Sequence, residues 1–264
     1  MTAEKKQPYF LDVTDKDHFY TMRKLTMLYR LGYDEIHISS ANKYITHLKK
    51  RKQISLKQFL SELTPRFIGM EIISEKETVI ILKCFTAFSK EETQGIQRRI
   101  FLLLKEFMEK INNKETFEEQ EAHDQVVKFI NYHLRILHLD LDLHYKEKQL
   151  LYSFFTIQDK ISDCLRHCAQ EVKQNKITEE TLQTLKEIFD FYNELYLLFY
   201  QFEKKQQQEL IKKRYLLLAK IKEKRRSVQD MKLLYEAKFI LDCVNDFYEC
   251  KLGLELLKQE NESQ

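Results

Sequence analysis

The chain has 264 residues, 32% of them charged, yet a formal net charge of only +3. It is therefore well solvated without being polycationic, which excludes a protein devoted to phosphate-backbone contact. Four glycines and two prolines fall far below the usual ~7% and ~5%, so long uninterrupted helices should dominate.

The elements before residue 88 are short and mixed. Residues 16–31 (KDHFYTMRKLTMLYRL) predict an amphipathic helix opened by Thr14 and closed by Gly32, and YDEIHIS (33–39) alternates as a half-buried strand does. Ser55 with Gln58 forms a capping box for a helix to about Leu63. After Pro65, FIGMEIIS (67–74) and TVIILKCF (78–85) predict two strands around the charged turn EKE. Helix–strand–helix–strand–strand suits a small α/β layer domain over 1–88.

From residue 89 onward only helices are predicted. Ser89 with Glu92 caps one to about Ile111, Thr116 with Glu119 a second to about Leu139, and a third covers about 145–173. Thr178 opens another to about Phe199, a basic helix covers about 202–226, and Ser227 with Asp230 begins the last, to about Leu257. The fold class is mainly α: a bundle of two three-helix repeats, about 89–174 and 175–258, behind the small α/β domain. LLYSFFTIQDKISD (150–163) and LLYEAKFILDCVND (233–246) share Leu150/Leu233, Leu151/Leu234, Tyr152/Tyr235, Ile157/Ile240, Asp159/Asp242 and Asp163/Asp246 at an offset of 83. LKEF (104–107) and LKEI (185–188) mark the first helices of the two cycles.

On a helical wheel Leu150, Phe154, Ile157, Ile161 and Leu165 form one stripe, and Asp159, Asp163 and His167 stand opposite. In the second copy Leu233, Ala237, Ile240 and Val244 form the stripe, with Asp242, Asp246 and Cys250 opposite; Cys164 and Cys168 fall on the core side. Aspartates at i and i+4 repel each other. Two explanations stand side by side: carboxylates projecting toward a divalent or ferric metal, or a solvated face whose aspartates meet lysines of an adjacent helix.

Repeated three-helix units whose third helix carries (Glu/Asp)-x-x-x-Asp resemble PhoU, the phosphate-uptake regulator, and in particular the archaeal PhoU-like regulators. YRLGYDEIHI (29–38), FIGMEIISEKETVIILKCF (67–85), RRIFLLLKEFMEKI (98–111) and HDQVVKFINYHLRIL (123–137), with Asp124 and Arg135, carry the match. The resemblance implies metal-facing carboxylates at Asp159, Asp163, Asp242 and Asp246, with iron, zinc or manganese as cofactor and His123, Asp124 and His167 as further candidate ligands. Where the family offers a second Asp-x-x-x-Asp, this chain has His123 and Val127. The basic helix carries Glu203 and Glu209 as its carboxylates in the first half. The family's N-terminal AbrB-like hairpin has no counterpart, which argues against a nucleic-acid partner.

Protein partners, a phosphate transporter or sensor, are what the resemblance implies; a homodimer is a further candidate. Gly-rich phosphate loops, Gly-x-Ser-x-Gly, His-Glu-x-x-His and a clear Cys/His nucleophile pair are missing from the sequence, so a non-enzymatic regulator is expected. The alternatives are a metal-binding bundle with a metal-dependent activity or a structural interaction bundle with no metal. HLKKRK (47–52) and KIKEKRR (220–226) read as phosphate grips or as solvated charge. HLDLDLH (138–144) reads as a polar connector with its leucines tucked in, and YNELYLLFYQF (192–202) as core. Five cysteines without metal or redox spacing, a start (MTAEKKQPYF) lacking an apolar segment, and no run near ~18 apolar residues predict a cytoplasmic protein with no membrane insertion.

Overall fold

The computed structural model describes residues 6–48, 51–76, 78–87, 91–201, 204–222 and 226–262, the side chains of 204–207 and 261–262 excepted. It is mainly helical: a small mixed sheet comes first and a run of helices follows. Contacts divide the chain into two units, Met1–Gln97 with Val127–His144, and Arg98–Val126 with Tyr145–Gln264.

The first unit holds β1 (Tyr9–Asp12), α1 (His18–Arg30), β2 (Glu35–Ser39), β3 (Tyr44–His47), β4 (Lys52–Ser55), α2 (Leu56–Leu63), β5 (Met70–Lys76) and β6 (Val79–Cys84). Strands β1, β2, β6 and β5 lie side by side in that order; β1 and β2 run parallel, the other pairs antiparallel. Parallel neighbours need a crossover, and α1 supplies it. In β2 the buried Ile36 and Ile38 alternate with half-buried neighbours, as the period-2 pattern requires. β3 and β4 form a separate hairpin.

Helix α1 starts at Asp17 rather than Thr14. The Asp17 carboxylate accepts from Phe19 N–H and Tyr20 N–H, whereas Thr14 spends its own N–H and hydroxyl on Asp12. Gly32 ends the helix as expected: its φ is +83°, and a Cβ there would sit 2.6 Å from Leu139 Cδ2. Ser55 is at once the last residue of β4 and the cap of α2, accepting from Gln58 N–H at 3.1 Å. Strands β1, β3 and β4, four residues each, were not expected from the sequence; elements so short carry too little periodicity to register.

Arg135 organises this unit's core. Its side chain is 3% exposed. It donates to Tyr29 O at 2.7 Å and Tyr33 O at 3.2 Å, pairs with Asp34, and lies 4.9 Å over the Tyr29 ring. Those two carbonyls belong to the end of α1 and the link to β2; Tyr29 O also accepts from Gly32 N–H at 3.0 Å. Tyr29 in turn donates to Ile68 O, and burial pushes its hydroxyl pKa up.

Helices α3 (Thr93–Asn112) and α4 (Glu119–Leu139) contribute residues to both units, and α5 (Tyr145–Gln174), α6 (Glu179–Tyr200), α7 (Lys204–Lys222) and α8 (Val228–Glu262) lie in the second. Ser89, expected to cap α3, lies outside the described residues, and α4 begins three residues after Thr116, its expected cap. Thr178 caps α6, and Ser227 with Asp230 opens α8 through Asp230 N–H to Ser227 Oγ and Ser227 Oγ to Asp230 Oδ2. α5 and α8 pack antiparallel, since contacts fall in reverse order: Leu150 against Gly253, His167 on Glu236, Lys232 on Glu171. Phe101, Phe154, Phe199 and Phe247 form the aromatic centre, with Phe154 and Phe247 ring centroids 4.1 Å apart. YNELYLLFYQF accordingly contributes Tyr192, Leu195, Leu198 and Phe199 to the core; Phe202 lies outside the described residues.

Candidate functional site

The seven residues singled out as metal ligands fall at three places on the second unit's helices. On α4 and α5, His123, Asp124 and Asp163 come together. The His123 side chain is 9% exposed and the Asp163 side chain 51%. His123 Nε2 lies 3.1 Å from Asp163 Oδ1, and His123 Nδ1 lies 3.0 Å from Asp124 Oδ1. Gln120 Nε2 donates to the same Asp124 oxygen at 2.8 Å. Burial works to discharge His123, but the hydrogen bonds to Asp124 and Asp163 outweigh it and hold its pKa above the ordinary value. The His123 hydrogen bond, with Arg166 assisting, holds the Asp163 carboxyl well below the usual range.

One turn along α5, His167 Nδ1 lies 3.2 Å from Glu236 Oε2 of α8. Asp159 is half-buried one turn the other way. On α8, Asp242 is gripped from two helices: Arg214 Nη2 of α7 at 3.1 Å and Lys238 Nζ of its own helix at 2.6 Å. Arg214 also donates to the Asp242 neighbour Leu241 O at 2.7 Å, so it is fixed twice. Asp246 is exposed.

Whether these donors fit a metal depends on what already holds them. His123 and Asp163 offer an imidazole nitrogen and a carboxylate, but the Arg166 guanidinium sits 3.2 Å from that same Asp163 oxygen. Asp242 is shared by two cations. Among the described residues no group of three or more His, Cys, Asp or Glu is disposed to hold a metal ion. Of the acidic positions that the sequence offers to a metal, Asp163 and Asp242 are answered here by protein cations. The alternative raised from the sequence, aspartates meeting lysines of an adjacent helix, is met only in part at Asp242: its partner from the adjacent helix is an arginine, and its lysine stands on its own helix.

Two of these partners were open to sequence reasoning: Arg166 three residues after Asp163, and Lys238 four before Asp242. Arg214 and Glu236 were not, because nothing local ties them to their partners. Cys250 was expected on the polar side with Asp246, yet it is buried, since α8 is packed over more than one stripe. Cys164, Cys168 and Cys243 are buried too, and burial pushes the Cys164 and Cys243 thiols up to about 12.

In HLDLDLH the buried residue is Asp140, which accepts from Asp142 N–H and Leu143 N–H, while Leu141 is exposed. The connector closes on an aspartate-centred turn, with Leu139 and Leu143 half-buried beside it. Lys49 and Lys50 of HLKKRK and 223–225 of KIKEKRR, like Glu203, lie outside the described residues. Among the described residues no helix is long and apolar enough to cross a membrane.

α8 also presents a face that sequence reasoning did not single out. Val228, Met231, Tyr235 and Phe239 are all exposed, Val228 at 80% and Tyr235 at 75%. Their spacing of three, four and four places them in one row along about three turns. The opposite side of the helix is already filled by Leu233, Leu234, Ala237, Ile240 and Leu241. The row continues toward the exposed Asp246 and Glu249.

Comparison of the chain with protein-family models, with curated proteins and with solved structures gives no match.

Proposed function

We propose that this protein is a non-enzymatic regulatory adaptor of the PhoU type, controlling phosphate uptake or phosphate signalling by docking a protein partner on its helices. The motif resemblance supports this reading, and so does the matched phase of α5 and α8. At the offset of 83, Leu151 and Leu234 are both buried, while Tyr152 and Tyr235, and Asp163 and Asp246, are both exposed. α3–α4–α5 and α6–α7–α8 are two turns of one three-helix unit in this reading. The aspartate pairs serve as ion-pair latches between helices and the adaptor needs no metal.

The observation that carries the reading is the outer row of α8. A helix that has buried one face and still exposes four large apolar side chains in register has a surface suited to another helix. The row's acidic end selects the occupant: an amphipathic helical segment of a partner protein, with apolar anchors followed by Lys or Arg. The test is Tyr235→Glu with Phe239→Glu, both exposed positions whose replacement leaves the core intact. In the source cell, the double variant and deletion of the gene should derepress phosphate uptake alike, the variant at unchanged protein level. Uptake identical to wild type in the variant would overturn the docking surface. If light scattering shows that the variant instead splits a wild-type dimer, the row joins two copies and the adaptor assignment fails.

A further inference from the structure

The first unit contains a cavity of about 250 Å³ where the end of β2, the β3–β4 hairpin, the start of α2 and the β5–β6 strands meet. Ser40 lines it. This residue is 1% exposed, and its Oγ has no hydrogen-bond partner. The Ser40 backbone is fully used: its N–H donates to Thr78 O at 3.0 Å and its carbonyl accepts from Lys43 N–H at 3.4 Å. The hydroxyl is therefore a buried polar group left unmatched by the protein.

Among the described residues, the cavity lining carries more cations than carboxylates. Lys43, Lys57 and Lys76 all line the cavity, and among the described lining residues the carboxylate is Glu75, 2.7 Å from Lys57 Nζ. Lys43 is held in the left-handed region, φ +56°, and its carbonyl accepts from Leu56 N–H at 2.9 Å. That bond pins the lysine-bearing turn to the first turn of α2, the end of a helix that favours negative charge. Tyr44, 54% exposed, stands at the same cavity with its ring available.

We propose that this cavity binds a phosphoryl group, either free as inorganic phosphate or carried on a small molecule whose flat portion lies on Tyr44. A planar carboxylate has two oxygens to offer. A phosphoryl group presents three or four around a centre of about −2 charge, which suits a cavity lined by a serine and three lysines beside the start of a helix. This site stands on residues of the first unit alone and does not rest on the adaptor reading.

The test is calorimetric titration of the full chain at low ionic strength with inorganic phosphate and, separately, with adenosine monophosphate, sulfate serving as control. Saturable one-to-one binding of either probe is expected. Tighter phosphate binding identifies the free ion, and tighter nucleotide binding a carried phosphoryl group. Ser40→Ala should weaken binding about tenfold while leaving the melting temperature unchanged or raised, because it removes an unmatched hydroxyl. Lys43→Gln with Lys76→Gln should weaken it further and flatten its salt dependence. No saturable binding of either probe, sulfate binding as tight as phosphate, or equal affinity in wild type and both variants would overturn the proposal.

Discussion

The His123–Asp163 pair should stabilise the protein only over a limited pH range. Folded His123 holds its proton more tightly than an unfolded imidazole. The native state therefore binds more protons above pH ~6.5, and stability is lost as pH rises through the folded pKa. Asp163 behaves oppositely: its folded carboxyl is more acidic than the unfolded one, so its contribution is present above pH ~3.9 and lost below, as pH falls through the folded pKa. Between ~4 and ~6.5 both charges are in place. A buried pair broken on one side costs about 3–5 kcal/mol, and an exposed pair is worth about 0–1 kcal/mol. Here one partner is buried and the other half in water, which puts the coupling at about 1–2 kcal/mol. A double-mutant cycle of His123→Gln and Asp163→Asn, read by urea unfolding with circular dichroism, measures it. The coupling should be largest near pH ~5.5 and fall below about 0.5 kcal/mol well above neutrality, once His123 has lost its proton. A coupling that is flat with pH, or grows toward alkaline pH, would refute the ion-pair account.

Three further outcomes are expected. Arg135→Met strands the Tyr33 carbonyl and the Asp34 carboxylate and leaves the Tyr29 carbonyl with the Gly32 N–H alone, and should cost about 3 kcal/mol in urea unfolding; Arg135→Lys should recover little, since one ammonium cannot span both carbonyls and the carboxylate, and a loss under about 1 kcal/mol would contradict this. Gly32→Ala forces a Cβ into a left-handed residue and onto Leu139, for a loss of about 1–2 kcal/mol seen as a lowered melting temperature. The thiols of Cys164, Cys168 and Cys243 should react with a disulfide reagent at pH 8 far more slowly in the folded protein than in denaturant, because burial keeps them protonated and covered. Rapid labelling of all three without unfolding would count against the packing of α5 on α8.

Long helices were legible because their signals are local and repeated. Thr178 and Ser227 announce α6 and α8 through first-turn bonds made within four residues, and the stripe through Phe154, Ile161 and Leu165 repeats over several turns. The strands β3 and β4 were not legible, since YITH and KQIS each offer two residues per face and are held by a cross-strand partner. The same contrast runs through the site. The spacing of Asp159, Asp163 and His167 gave their shared face, but the partners of Asp163 and of Asp242 include His123 from α4 and Arg214 from α7 respectively, which no spacing rule connects to them. The outer row of α8 was hidden for a different reason: a wheel drawn to find one core stripe treats the remaining apolar residues as scatter. The Ser40 cavity had no sequence signal, because a hydroxyl's lack of a partner exists only once the chain is folded.

If the aspartate pairs are latches and the outer row of α8 is the working surface, the two can be separated in the cell. Phosphate uptake should be measured with labelled phosphate in cells carrying wild type, the gene deletion, Tyr235→Glu with Phe239→Glu, and Asp159→Asn with Asp242→Asn. The account predicts that the α8 surface variant matches the deletion while the aspartate variant, at equal protein level, stays close to wild type. Uptake that ignores the deletion altogether would contradict the regulatory assignment.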